Sequence, residues 1–246
     1  MNFTKPSAFP LLLAAALLPA PGPALAAGAL AVPNGSFENP VVAGPFPVDN
    51  NVADWTKTPQ PDWYDPEMFG GITWHQTSGV FPNPPPGQGG HIENLDGHQA
   101  LYLFSFPTAG LFQELGAAFA AGLRYDLTVA ARGGGGLPEG SLLQISLYYA
   151  DGGDRVPIAS TMVGYSAAGF PDPARLVDFT VSTPAVTDGS PWLGQPIGVA
   201  IEAAVPQPSQ GYWDIDNVRV LAVPEPGALG LVALGLGGFW LLRRRG

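Results

Sequence analysis

The sequence contains no cysteine. That excludes disulfides, thiolate metal sites and a cysteine nucleophile, so a domain of this size rests on its core or on a hard cation such as Ca²⁺. Histidine is also scarce. His75, His91 and His98 are the three present, without a His-x-x-x-His spacing, which argues against a zinc centre. Cations are few: between residues 27 and 223 there are 6 bases against 19 acids. Such a surface argues against nucleic acid and anionic lipid as partners and suits divalent cations and neutral ligands. No G-x-S-x-G elbow occurs, and no ordered Ser-His-Asp set can be extracted. Helical periodicity is nearly absent. Leu115–Ala121 (LGAAFAA) is the one stretch where a single helical turn is expected.

What is present is alternation. In Leu123-Arg124-Tyr125-Asp126-Leu127-Thr128-Val129 the apolar residues fall on odd positions, the pattern of a half-buried strand. Residues 141–150, 175–182 and 197–203 read similarly. Residues 99–104, 111–115, 158–163 and 211–221 complete eight or nine strands, and 34–38 and 54–57 are expected to add two more. Gly and Pro punctuate the gaps, as in Gly133-Gly134-Gly135-Gly136 and Pro171-Asp172-Pro173. Many short strands with such turns predict an all-β sandwich or jelly roll over residues 27–222. Residues 59–91 break the rhythm. They are rich in proline, glycine and aromatics, and a disordered segment would lack the aromatics.

The two ends have other purposes. Lys5, the apolar run Leu11–Leu18 and Ala24-Leu25-Ala26 read as a signal peptide over residues 1–26, cleaved after Ala26 or Ala27. At the other end, Ala228–Leu242 is 15 apolar or Gly residues, followed by Arg243, Arg244 and Arg245. A spanning helix usually needs about 20 such residues, and a block of cations keeps its side cytoplasmic. Pro224-Glu225-Pro226, the short apolar segment and the arginines, over residues 223–246, resemble the PEP-CTERM sorting signal of Gram-negative bacteria. The resemblance implies export across the inner membrane and a transient anchor, the membrane being touched only through this C-terminal helix. It also implies an exosortase as passing partner, with the cell surface or extracellular matrix as destination.

Several motifs of the body sit in a series. They are V32-P-N-G-S-F-E-N-P40, D96-G-H-Q-A-L-Y-L103, L111-F-Q-E-L115, G122-L-R-Y-D-L-T-V129 and G211-Y-W-D-I-D-N-V-R-V220. The series resembles the galactose-binding-like jelly rolls, which include carbohydrate-binding modules. In that fold a Ca²⁺ commonly joins the first and last strands, which implies Glu38 and Asp216 as metal ligands, with Asn34 and Asp214 as weaker ones. The residues agree in one respect. Trp213 and Ile215 hold one apolar phase and Val218 and Val220 the other, so a β-bulge is expected at Asp216-Asn217.

Two functional readings follow. The first is a calcium-stabilised binding or adhesive module for polysaccharide or another neutral ligand. Sugar rings stack on aromatic faces, and Trp55, Trp63, Tyr64 and Trp74, with His75 nearby, are the candidates. The second is an enzyme. The opening N-G-S-F-E-N-P-V-V is similar to that of the Stig cyclases, calcium-dependent jelly rolls whose carboxylates protonate a substrate in an aromatic-lined pocket. Asp214, beside Trp213 and Tyr212, is then the suspected acid. Asp62, Asp65, Glu67 and Glu93 could form a glycan-cleaving carboxylate pair. The two readings differ over residues 59–91, which either close over a pocket holding a carboxylate or lie flat with aromatics outward.

Overall fold

The computed structural model describes residues 28–42 and 47–225. Eleven strands form two antiparallel sheets. They are β1 (Gly28–Leu30), β2 (Thr56–Lys57), β3 (Ser78–Pro82), β4 (Gln99–Phe104), β5 (Gly110–Ala118), β6 (Leu123–Gly134), β7 (Leu142–Asp151), β8 (Asp154–Gly164), β9 (Val177–Ser182), β10 (Pro196–Ala203) and β11 (Tyr212–Pro224). The front sheet runs β3-β4-β11-β6-β9, with β1 also on β11, and the back sheet runs β2-β5-β10-β7-β8. This is the jelly-roll β-sandwich that the alternation predicts.

The odd residues of β6 and their counterparts on β4 and β11 close the core. Leu101, Leu103, Leu127, Val129, Trp213 and Ile215 meet Leu111, Ile145, Leu147, Val199 and Ile201 of the back sheet. These side chains are almost fully buried, and each aliphatic one contributes about 1.5–3 kcal/mol through transfer from water.

β11 is the spine of the front sheet. Its first half pairs with β4 and its second with β1, while β6 runs along its other edge. The register slips between Asp216 and Arg219, and Asn217 has φ 50°, so the bulge lies where the apolar phase changes.

Three expectations are corrected. Residues 34–38 are a chain of turns, with Asn34 and Phe37 at positive φ. Leu115–Ala121 is not helical: β5 runs through it to Ala118, and Phe119 then turns into the core. The segment 59–91 is not one loop. It holds two 3-10 helices, Pro66–Phe69 and Trp74–Thr77, and then β3, whose Gly79 and Pro82 disguise it in sequence. Pro226 and the arginines 243–245 lie outside the described residues, as does the signal peptide. Among the described residues, no helix is long and apolar enough to cross a membrane.

Candidate functional site

The even residues of β11 leave the core. Tyr212, Asp214 and Asp216 point to the outer face of the front sheet, beside Tyr102 and Phe104 of β4 and Arg132 of β6. That face is roofed. Residues 83–96 fold over it together with residues 173–176, to which Glu93 and Asn94 are hydrogen-bonded, and Ile92 packs with Ala100, Ala130 and Leu176, assisted by Phe81 and Leu95, in a small second core.

Two cavities open under and beside this roof. One, of about 650 Å³, is lined mainly by Phe81, Pro82, Pro84, Pro85, Tyr102, Phe104 and Tyr212. The other, of about 560 Å³, has Gly89, Gly90, His91, Arg132, Gly134 and Asp214 in its wall. Gln88 and Tyr212 line both.

Asp214 is 2% exposed. Its Oδ2 accepts from Arg132 Nε at 2.8 Å, while its Oδ1 is buried without a partner. Burial pushes the carboxyl up to about 6 against the pull of Arg132. It can therefore hold a proton on the acid side of neutrality and release it to a neighbour. Arg132 answers more than the carboxylate. Nη1 donates to His91 O and Pro173 O, and Nη2 to Gly90 O. One guanidinium thus ties the acid to both segments of the roof. Burial, with Asp214 adding to it, raises the Tyr212 phenol; Tyr102 rises to about 12 and donates to Asn50 Oδ1. Both remain neutral donors. Gly134 faces Tyr212 across the ladder, and a Cβ there would lie 2.5 Å from its ring.

The bulge brings the other predicted residues together. Val218 N–H donates to Gly35 O, which docks the N-G-S-F-E turn on β11. Asp216 is fully buried; its Oδ2 accepts from the Asp96 amide at 2.6 Å and its Oδ1 has no partner. Burial, with like charge from Asp96 and Glu38, pushes its carboxyl up to about 7. Glu38 Oε1 receives the His98 and Gln99 amides, at 2.7 and 2.8 Å. Asn34 is engaged otherwise: its amide bonds Asn39 and the Ala53 carbonyl, which shapes the loop. Among the described residues no three His, Asp or Glu side chains close on one point. Asp216 and Glu38 stand close enough here to raise one carboxyl through like charge, an all-oxygen pairing of the chemistry that hard divalent cations take. The orphaned oxygen of Asp216 fits such an ion.

The aromatic candidates divide. Trp55, Tyr64 and Trp74 are buried, at 7, 4 and 6% exposure, and their polar atoms are answered by Asn34 O, Ile72 O and Thr58 O. They are core residues that close the sandwich's end. Trp63 is 43% exposed and edges against Tyr64, Phe69 and Trp74. His75 is exposed beside Lys57, whose ammonium donates to the His75 and Ser78 carbonyls. Asp62, Asp65, Glu67 and Glu93 are all exposed and form no buried pair. Arg132, Tyr102 and Asp96 were not legible as site residues. The signal for Arg132 was its outward phase on β6; for Tyr102 and Asp96 it was the D96-G-H-Q-A-L-Y motif.

The family model described as HpiC1 cyclase matches residues 28–221. The PEP-CTERM protein-sorting motif matches residues 222–245. That motif marks an exported protein that an exosortase processes. Among solved structures, a cyclase from Fischerella sp. TAU superposes with TM-score 0.59 at 23% identity, over 81% of this chain and 98% of that one. The Stig cyclase Fisc from the same organism, in complex with (3Z)-3-(1-methyl-2-pyrrolidinylidene)-3H-indole, gives 0.59 at 24% identity, covering 81% and 99%. The CBM22-1 xylan-binding domain of Paenibacillus barcinonensis Xyn10C gives 0.40 at 13% identity, covering 70% and 87%. No curated protein matches.

Proposed function

This chain belongs to the HpiC1-like family, and from that premise we propose that it is an exported acid catalyst of the cyclase kind, acting on a small, largely apolar ring compound. The observation that carries the reading is Asp214: a buried carboxyl with one oxygen unanswered, in the wall of a roofed cavity that shares Tyr212 with an aromatic one.

The chemistry is proton transfer. Protonated Asp214 gives its proton to an electron-rich carbon or nitrogen of the substrate. The carboxylate left behind is held by Arg132. Positive charge develops on the substrate, where the faces of Tyr212, Phe104 and Tyr102 stabilise it by about 0.5–2 kcal/mol per good contact. A later C–H loss returns the proton, so the cycle is neutral.

We also propose Ca²⁺ at Asp216, with Glu38 and turn carbonyls completing the set. It would neutralise the buried Asp216 carboxylate and pin the opening turn to β11. It takes no part in the proton transfer.

The polysaccharide-binding reading is the weaker one. Three of its four stacking rings are internal, and Trp63 alone offers exposed aromatic surface. The test is calorimetric titration with 4-(1H-indol-3-yl)butan-2-one, a ligand of a Fischerella cyclase, and in parallel with xylohexaose. Binding of the indole that Gly134→Val abolishes, with deuterium uptake from D₂O lost in Asp214→Asn, supports the reading. Binding of the sugar alone, weakened by Trp63→Ala, refutes it.

A further inference from the structure

The sorting motif and the sandwich overlap. β11 does not stop at the end of the body's last motif but continues to Pro224, the first residue of Pro-Glu-Pro, which pairs with Leu123 at the start of β6. Glu225, the second, donates its amide to Gly122 O at 3.0 Å. Its carboxylate lies 3.7 Å from Arg124 Nη1. On the opposite edge of β11, Ala222 pairs with Gly28 of β1. Residue 222 is therefore held from both sides, and residues 223–225 from one.

A protease binds its substrate as an extended strand of several residues, with the backbone free to pair with the enzyme. Residues 222–225 have that backbone committed to the sheet. Cutting among them requires the end of β11 to peel from β6, a local opening of the sandwich.

We propose that β11 retains Pro224 and Glu225 in the folded body, so that the exosortase cuts on the tail side of Glu225. The step breaks a peptide bond on the tail side of Glu225. The acyl carbon gains the oxygen of water, or the nitrogen of an acceptor amine, and the departing nitrogen takes a proton. The mature body then keeps a complete front sheet, since no residue of β11 leaves with the tail. The arrangement also orients the molecule. Gly28, just past the expected signal cleavage, and Glu225 sit at one corner, whereas Asp214 lies ten strand residues back, about 33 Å away at strand rise. The roofed site is thus separated along the strand from the corner that the tail joins.

Two measurements on the wild-type full chain test this. The first is the intact mass of the body released when the chain is produced in a bacterium with an exosortase. A C-terminus at Glu225 or later is expected; one at Pro224 or earlier overturns the proposal. The second is hydrogen exchange of the unprocessed chain in detergent. The Glu225 amide should exchange at least tenfold slower than in an unstructured peptide of the same sequence. Exchange at the peptide's rate overturns the proposal.

Discussion

Arg132 and Asp214 face each other on adjacent strands, β6 and β11, and their ion pair is almost wholly buried. The same guanidinium bonds three carbonyls of the roof. Arg132→Ala therefore leaves a buried carboxylate and three carbonyls unanswered. Breaking a buried pair from one side costs about 3–5 kcal/mol. Urea unfolding at pH 7.5 should show a loss of that order. Asp214→Asn retains a side-chain oxygen for Arg132 and should cost less, while removing the acid. Equal and small losses for both variants would mean that the pair does not hold the roof.

Asp214 and Asp216 set the pH dependence. Their folded-state carboxyls stand near 6 and 7, raised from 3.8 by burial. A group so raised binds more protons folded than unfolded. Its contribution to stability is full below about pH 3.8 and is lost as the pH rises through the folded value. Protein in chelator should therefore lose stability between pH 4.5 and 7.5, by several kcal/mol if both groups act. Calcium at Asp216 favours the carboxylate and should flatten the upper part of that slope. Midpoints from urea titrations across this window, with and without Ca²⁺, check the sign.

The buried and exposed tryptophans should separate cleanly. Trp74 stacks edge-on with Tyr64 at 4.9 Å and donates to Thr58 O at 2.7 Å, so Trp74→Ala should cost about 3–5 kcal/mol. Trp63→Ala removes a half-exposed ring and should cost clearly less. Thermal or urea unfolding distinguishes them, and a similar loss for both would place Trp63 in the core.

How far the sequence carried depends on what each feature requires. Strands such as Leu123–Val129 were legible because one face is buried and the other is not, which writes period two into the residues. The bulge was legible as well, since a bulge shifts that period. β3 was hidden because its Gly79 sits against Tyr102, where a side chain has no room. The turns at 34–38 were read as a strand because their shape comes from the Asn34 side chain, not from alternation. The roof was illegible for another reason. Arg132 acts on carbonyls some 40 residues away in sequence, and no local pattern records such a contact.

Gly134 tests the aromatic wall. Its flat backbone leaves room for Tyr212, and a Cβ would press on that ring. Gly134→Ala should displace Tyr212 and weaken apolar-ligand affinity severalfold. Overpacking of this kind costs about 1–3 kcal/mol, so the fold should survive. Calorimetric titration with the indole ketone measures the affinity, and near-ultraviolet circular dichroism reports the ring. Unchanged affinity with a moved ring would place the ligand elsewhere.

The calcium proposal makes the last prediction. A ligand that binds only the folded state stabilises it by RT ln(1 + [L]/Kd), about 2.7 kcal/mol at a hundredfold excess over Kd. Millimolar Ca²⁺ should accordingly raise the unfolding midpoint of the wild-type chain, and chelator should lower it again. Asp216→Ala should abolish that response. It should also cost less in chelator than loss of a fully answered buried carboxylate, because the wild-type carboxyl is raised by burial and one of its oxygens has no partner. Glu38→Ala differs: it removes the acceptor of the His98 and Gln99 amides and should destabilise the protein with or without the ion. Gly97→Ala, whose Cβ would press on the Glu38 carboxylate from a backbone at φ 104°, should behave like Glu38→Ala. A calcium response that persists in Asp216→Ala would move the ion away from the bulge. No response in the wild type would leave the opening turn held to β11 by the Gly35–Val218 hydrogen bond, with Glu38 tied to the His98 and Gln99 amides.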